Sequence, residues 1–268
     1  MATCLSTLTS LETLQLDFIR APLYYSDPDI DSDIDSDSDS ESRHTFPLIR
    51  SLLPTLANFW FKGAINYLEE FVARVDAPQL YQLSTTFFNA IDLKAPELNQ
   101  FISRTSTLTA YDEAHLVFDG DGARFRLRQS YPEPSDNRMV EVKILSDWQL
   151  ETLARVLSLP LRLLSTMKNL YIYEDPLVGK GIKNIGWLDL LLPSTGVKNL
   201  YLSKKFSPRI ALALQELTGR RTTEVLPALQ NVFLEGSRPS KPVQGGIARF
   251  ISARQLINRP VAISAWQR

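Results

Sequence analysis

The sequence predicts an α/β solenoid, an irregular stack of strand–helix units with a parallel sheet on one side and helices along its convex side. Three observations carry this. First, Val197-Lys198-Asn199-Leu200-Tyr201-Leu202-Ser203 is preceded by Met167-Lys168-Asn169-Leu170-Tyr171-Ile172-Tyr173 and followed by Leu229-Gln230-Asn231-Val232-Phe233-Leu234-Glu235. Second, aligned on their central residues these stretches lie 30 and 32 residues apart, and self-similarity at such a period marks a stacked repeat. Third, helical periodicity fills the intervals between them. Strands alternating with helices require parallel pairing through helical crossovers.

The units follow in order. Residues 1–25 form the first repeat, with Leu11, Leu14, Leu16 and Phe18 on its strand. Nothing upstream covers Leu5, Leu8 and Leu11, so the expectation is an uncapped end, or a chain lacking an N-terminal part that related proteins carry. Residues 26–46 are an acidic Ser/Asp insertion, expected to be disordered because it has little apolar surface and its charges repel. Ser32, Ser36 and Ser38 precede acids there and are candidate phosphorylation sites; the plainer reading is a solvated tether. Residues 47–268 carry the remaining units. Pro54 to Lys62 is a strand, Ala64 to Val75 a helix with Ile65, Leu68, Phe71, Val72 and Val75 on one face, and Pro78 to Leu83 opens the next strand. A helix from Ala95 to Arg104 has Pro96 at its first position.

Residues 111–145 break the rhythm. Leu116 to Phe118, Phe125 to Leu127 and Val140 to Ile144 are three strand candidates, and Asp119-Gly120-Asp121-Gly122 is a tight-turn signal between the first two. They read as a hairpin elaboration of one repeat. From Asp147, a plausible N-cap for a helix at 148–157, the strand–helix rhythm resumes. Helices follow at 185–192, at 208–217 behind Ser207 as cap, and at 243–256, and Val261 to Trp266 is a closing strand.

Composition narrows the function. The 268 residues are 44% hydrophobic and 22% charged, in the ordinary globular range. No apolar run approaches the roughly 18 residues of a membrane span, and Met1 to Leu5 does not begin a secretory signal. With Cys4 the only cysteine, no intrachain disulfide forms, and the expected setting is cytoplasmic or nuclear. Setting aside the eight acids between Ser26 and Ser42, the net charge of −1 becomes about +7 on the body. Its basic residues are scattered rather than striped, so nucleic acid is not an expected partner, and neither is a membrane.

Catalytic signatures are missing. His44 and His115 show no spacing to a nucleophile, and there is no Gly-x-Ser-x-Gly elbow. Gly179-Lys180-Gly181 lacks the rest of a phosphate loop. Asp119-Gly120-Asp121-Gly122 lacks the later ligands of a calcium loop. Glu69 and Glu70 read as a solvated helix face. The expectation is no enzyme, no cofactor and no metal.

What remains is surface. Where Leu-x-x-Leu-x-Leu buries its leucines, the residue between the last two points to the other face: Gln15, Trp60, Ser84, Tyr171, Tyr201 and Phe233. Asn58, Asn169, Asn199 and Asn231 stand two residues before the four aromatics. With Tyr173, Ser203 and Glu235 they make a candidate partner-binding face, an aromatic row beside an amide row on the exposed concave side of the sheet. The alternative is that cross-strand aromatic pairs only stabilise the sheet.

The Leu-x-x-Leu-x-Leu strands resemble leucine-rich repeats, with Asp175, Lys205 and Ser237 where regular repeats place Asn or Cys. The irregular units are similar to the C-terminal regions of fungal, basidiomycete-type F-box proteins. The likeness is closest in Ala64 to Arg74, in Trp187 to Ser203, and in Pro208 to Asn231. The resemblance implies repeats that recruit a protein substrate for ubiquitin ligation, and a Skp1-type adaptor as partner only where an upstream F-box exists. No F-box precedes the first repeat here. The leading expectation is therefore a protein-interaction module of the substrate-recognition kind lacking its F-box. The alternatives are a truncated or degenerate product without binding activity, or a repeat regulator of another protein.

Overall fold

The computed structural model describes residues 9–18, 50–88, 95–108, 111–119, 122–129, 138–145, 166–174, 186–217, 221–236 and 241–267. The acidic insertion with Ser32, Ser36 and Ser38, the expected helix at 148–157 and the Gly179 loop lie outside them. Among the described residues the strands are β1 (Thr13–Asp17), β2 (Ser51–Leu52), β3 (Asn58–Gly63), β4 (Val75–Asp76), β5 (Gln82–Phe88), β6 (Glu113–Phe118), β7 (Ala123–Arg128), β8 (Met139–Leu145), β9 (Asn169–Glu174), β10 (Asn199–Leu202), β11 (Asn231–Glu235) and β12 (Ala262–Trp266). The helices are α1 (Ile65–Ala73), α2 (Pro96–Arg104), α3 (Trp187–Leu191), α4 (Ser207–Gln215), α5 (Arg221–Glu224) and α6 (Lys241–Leu256).

Ten strands form one sheet in the order β1-β3-β5-β8-β7-β6-β9-β10-β11-β12. Every neighbouring pair is parallel except the two that involve β7. The fold is thus mixed α/β on a large, mostly parallel sheet. The third strand begins at Gln82, later than the expected opening at Pro78, yet Leu83 still pairs with Phe59. The three strands of residues 111–145, expected as a hairpin elaboration of one repeat, are built into the sheet itself. They stand in the middle of the sheet in reversed order, with β8 against β5 and β6 against β9. Their alternating burial explains why they belong there: Phe125 and Leu127, like Val140, Val142 and Ile144, face the same core as the flanking strands. The Asp119 turn closes by a bond from Asp119 N–H to the Gly122 carbonyl (3.0 Å). A side chain at Gly122 would collide with the Ile144 carbonyl, so glycine is required where β7 starts beside β8.

One face of the sheet and the helices share a single continuous core, from Leu53 and Phe59 through Phe125 and Leu200 to Phe250 and Val261. The other face is only half-buried, as the alternation in β3, β5, β10 and β11 shows. Parallel sheets are ordinarily covered on both faces, whereas no described helix covers this one.

Polar ties join successive units on the helical side. Glu69 is not a solvated residue: its carboxylate accepts the Glu97 and Leu98 backbone N–H groups (2.9 and 2.8 Å) and caps α2 from α1. Burial is the larger influence on this carboxyl and pushes it above its ordinary range, against the two N–H donors. Ser207 is not the cap of α4, where the capping position is Phe206. Its hydroxyl donates back to the Ser203 carbonyl (2.8 Å). Arg104 donates to the carbonyls of Val72 and Val75 and to Asp76, tying α2 to the unit before it. Arg254 repeats the device near the other end. It is fully buried, and its guanidinium donates to the carbonyls of Thr222 and Leu226 (3.1 and 2.9 Å). Leu226 has φ of 51°, a left-handed conformation costly for a non-glycine residue, and the Arg254 bond helps to hold it.

Replacing Arg254 with methionine removes these bonds and leaves buried carbonyls without partners. Urea unfolding should show a loss of about 3 kcal/mol, whereas the same change at exposed Arg249 should stay within about 0.5 kcal/mol.

Candidate functional site

In-register pairing turns single positions of each strand into rows across the open face. One row runs Gln15, Trp60, Ser84, Glu141, Arg126, His115, Tyr171, Tyr201, Phe233, Ser264. The expected aromatic row is therefore split. Trp60 stands between Gln15 and Ser84 and borders a shallow depression of about 300 Å³ that Lys62 and Thr86 also line. Five strands away, Tyr171, Tyr201 and Phe233 form a stack that His115 extends. Ring centroids are 4.5 Å apart for His115–Tyr171, 4.2 Å for Tyr171–Tyr201 and 4.4 Å for Tyr201–Phe233, with planes within 11° of parallel. Each such pair contributes about 0.5–1.5 kcal/mol beyond its area.

The amide row divides in the same way. Asn199 Nδ2 donates to Asn169 Oδ1 (2.7 Å) and Asn231 Nδ2 donates to Asn199 Oδ1 (2.8 Å), a ladder whose rungs repeat at the strand spacing of about 4.8 Å. Asn58 lies across the sheet and is 3.4 Å from the Tyr81 hydroxyl. Glu113 continues the ladder beside Asn169 and accepts the Tyr171 hydroxyl (3.3 Å). His115 Nε2 is 3.5 Å from Glu113, and its Nδ1 is 3.4 Å from the Tyr173 hydroxyl. Tyr173 thus supports the stack from its side. Arg126 donates to Glu141 (2.7 Å), and this ion pair borders the stack next to His115.

Two side chains depart from expectation. Ser203 is buried, at 2% exposure, so it does not belong to the face. Trp266 does. It pairs in register with Glu235, its Nε1 donates to the Leu202 carbonyl (3.2 Å), and its ring stands at 75° to Tyr201 and 63° to Tyr171. Both faces of Tyr201 are already occupied by neighbouring rings, so the indole lies against the ring edges. Glu235 is half-buried and accepts the Lys204 backbone N–H (2.9 Å).

Both faces of Tyr171 and Tyr201 are used up within the stack, which leaves ring edges, with Trp266 against two of them, and half-buried amides toward the open side. Among the described residues no group of three or more His, Cys, Asp or Glu side chains could hold a metal ion, and no helix is long and apolar enough to cross a membrane. Sequence reasoning missed Glu113, His115, Arg126, Glu141 and Trp266. The first four belong to strands whose place in the sheet depends on the reversed hairpin order. Trp266 carried a usable signal, as the aromatic two positions beyond the outward Ser264.

Burial first, then the Glu113 carboxylate, push the Tyr171 hydroxyl above its ordinary value. In the unfolded chain tyrosine ionises near pH 10, while folded Tyr171 keeps its proton to higher pH. Above about pH 10 the folded state therefore binds more protons, and raising the pH favours unfolding. Urea midpoints should fall between about pH 9 and about pH 11, and Tyr171→Phe should make that fall shallower.

No protein-family model, no curated protein and no solved structure matches this chain.

Proposed function

We propose that the chain is a protein-interaction module that binds a polypeptide partner on the open face of its sheet. The observation that carries this reading is the pair of ladders, rings beside amides, on the uncovered side of a mostly parallel sheet. Such a sheet ordinarily buries both faces. Large, rigid aromatic groups with adaptable amides nearby contribute most at protein interfaces. The stacking also speaks about the class of partner. Single-stranded nucleic acid is held by bases lying on free ring faces, and here both faces of Tyr171 and Tyr201 are occupied. Ring edges carry the positive side of the quadrupole and, with Tyr hydroxyls and Asn amides, suit the carbonyl and carboxylate acceptors of a peptide.

Within this reading, the strand–helix units act as a leucine-rich-repeat-like solenoid, and the partner is a substrate awaiting ubiquitin ligation, as in the F-box proteins that the units resemble. A Skp1-type adaptor enters only through an upstream F-box.

The test replaces Tyr171 and Tyr201 with serine. Affinity capture from a basidiomycete extract should recover a protein with the native chain and lose it with the variant, while both unfold cooperatively. A variant that is less stable yet keeps the same partner means the rings only hold the sheet together.

A further inference from the structure

The two ends of the sheet complement each other, and from this we infer that the chain associates with a second copy of itself, head to tail, through β12 of one copy and β1 of the next. At the β12 end the edge is uncharged, Ala262-Ile263-Ser264-Ala265-Trp266, and exposed up to Trp266. It has none of the lysines, prolines or bulges that ordinarily discourage edge pairing. Ala262 N–H bonds to Gln230 of the preceding unit. Alternation therefore turns the Ile263 and Ala265 backbone groups outward, where no described strand meets them. At the end of α6, on the turn that leads into this strand and on the strand itself, three large apolar side chains, together termed the knob, are exposed: Leu256 (88%), Ile257 (42%) and Ile263 (44%).

Among the described residues the β1 edge has no further strand beside it, and it offers a recess. Between the underside of β1 and helix α1 lies a cavity of about 260 Å³ lined by Leu16, Phe18, Tyr67, Phe71 and Val75, with Glu70 and Arg74 at its rim. Strand direction agrees, because β1 and β12 are both parallel to the frame shared by every strand but β7. Extending the rows of the sheet by one strand sets Ile263 beside Leu14 and Ala265 beside Leu16 on the core side, and Ser264 beside Gln15 on the open side. On the core side apolar meets apolar at both positions, and on the open side Ser264 meets Gln15 while Asp17 comes beside Trp266 at the strand ends. Each strand edge is five residues long, so the contact belongs with small interfaces, below about 1,200 Å², and is concentration-dependent. Because donor and acceptor surfaces differ, the contact is heterologous and adds copies one after another, as an open chain or a ring. The lateral face proposed for partners stays free, so the two proposals stand or fall separately.

Sedimentation velocity of the full chain over a wide concentration range provides the test. The native protein should show a sedimentation coefficient that rises with concentration. Leu256→Glu with Ile263→Glu at the knob, and Tyr67→Glu at the recess, should each weaken association by at least roughly tenfold. Ala265→Pro, which removes an outward N–H and leaves the knob intact, should do the same. Circular dichroism should show all variants folded. Mixing the knob variant with the Tyr67 variant should restore pairs of one copy each, because each retains the end that the other has lost. A native chain that stays monomeric throughout, association that survives these changes, or a mixture that fails to pair overturns the inference.

Discussion

In-register parallel pairing of β10 with β9 and β11 is the constraint on which the rest of the structure depends. Strand side chains alternate with a period of two, so a slip by one residue would turn Leu200 and Leu202 to the open face and drive Tyr201 into the core. The register is held from both sides at once. Beneath the sheet, Leu170, Leu200 and Val232 share one core. Above it, the Asn169–Asn199–Asn231 bonds and the ring stack can form only when like positions stand opposite each other. The open face therefore contributes to the fold as well as presenting a surface. These roles are compatible because stacking consumes ring faces and leaves edges and hydroxyls outward.

The same constraint extends through the least regular part of the chain. β7 runs against its neighbours, yet Arg126 still falls between Glu141 and His115 in the common row. An antiparallel strand bonded on both edges keeps the alternation intact, so the core passes beneath it through Phe125 and Leu127 without a gap. This reversal gives the face two characters. Around Trp60 and Lys62 it is a shallow, polar depression; from His115 to Phe233 it is an aromatic wall with Trp266 laid across its edges.

The repeated strands were legible in the sequence because Asn-Leu-Tyr at Asn169 and at Asn199 carries both the period of two and the longer repeat in three residues. The helix around Leu68 was legible from apolar spacing, and Pro96 marked the start of the next one. What could not be read depended on tertiary neighbours. Glu69 looks like any exposed helix carboxylate until α2 is placed with its N-terminus against it. Arg254 sits in a helix otherwise rich in small and polar residues, and only the folded chain shows four carbonyls around its guanidinium. Ser203 follows the outward alternation in sequence but is buried, since the chain leaves the strand at that point. The separation of Asn58 and Trp60 from their counterparts follows from the hairpin order, which local pattern does not encode.

The most direct test of the shared register is nuclear Overhauser contacts between ring protons, with tyrosine and phenylalanine labelled selectively. The structure predicts contacts from Tyr201 to both Tyr171 and Phe233, and upfield ring-current shifts that are largest for Tyr201, which lies between two rings. Tyr201 protons with contacts instead to core residues such as Leu190 or Ile210, or with no ring neighbours at all, would contradict the register and the surface built on it.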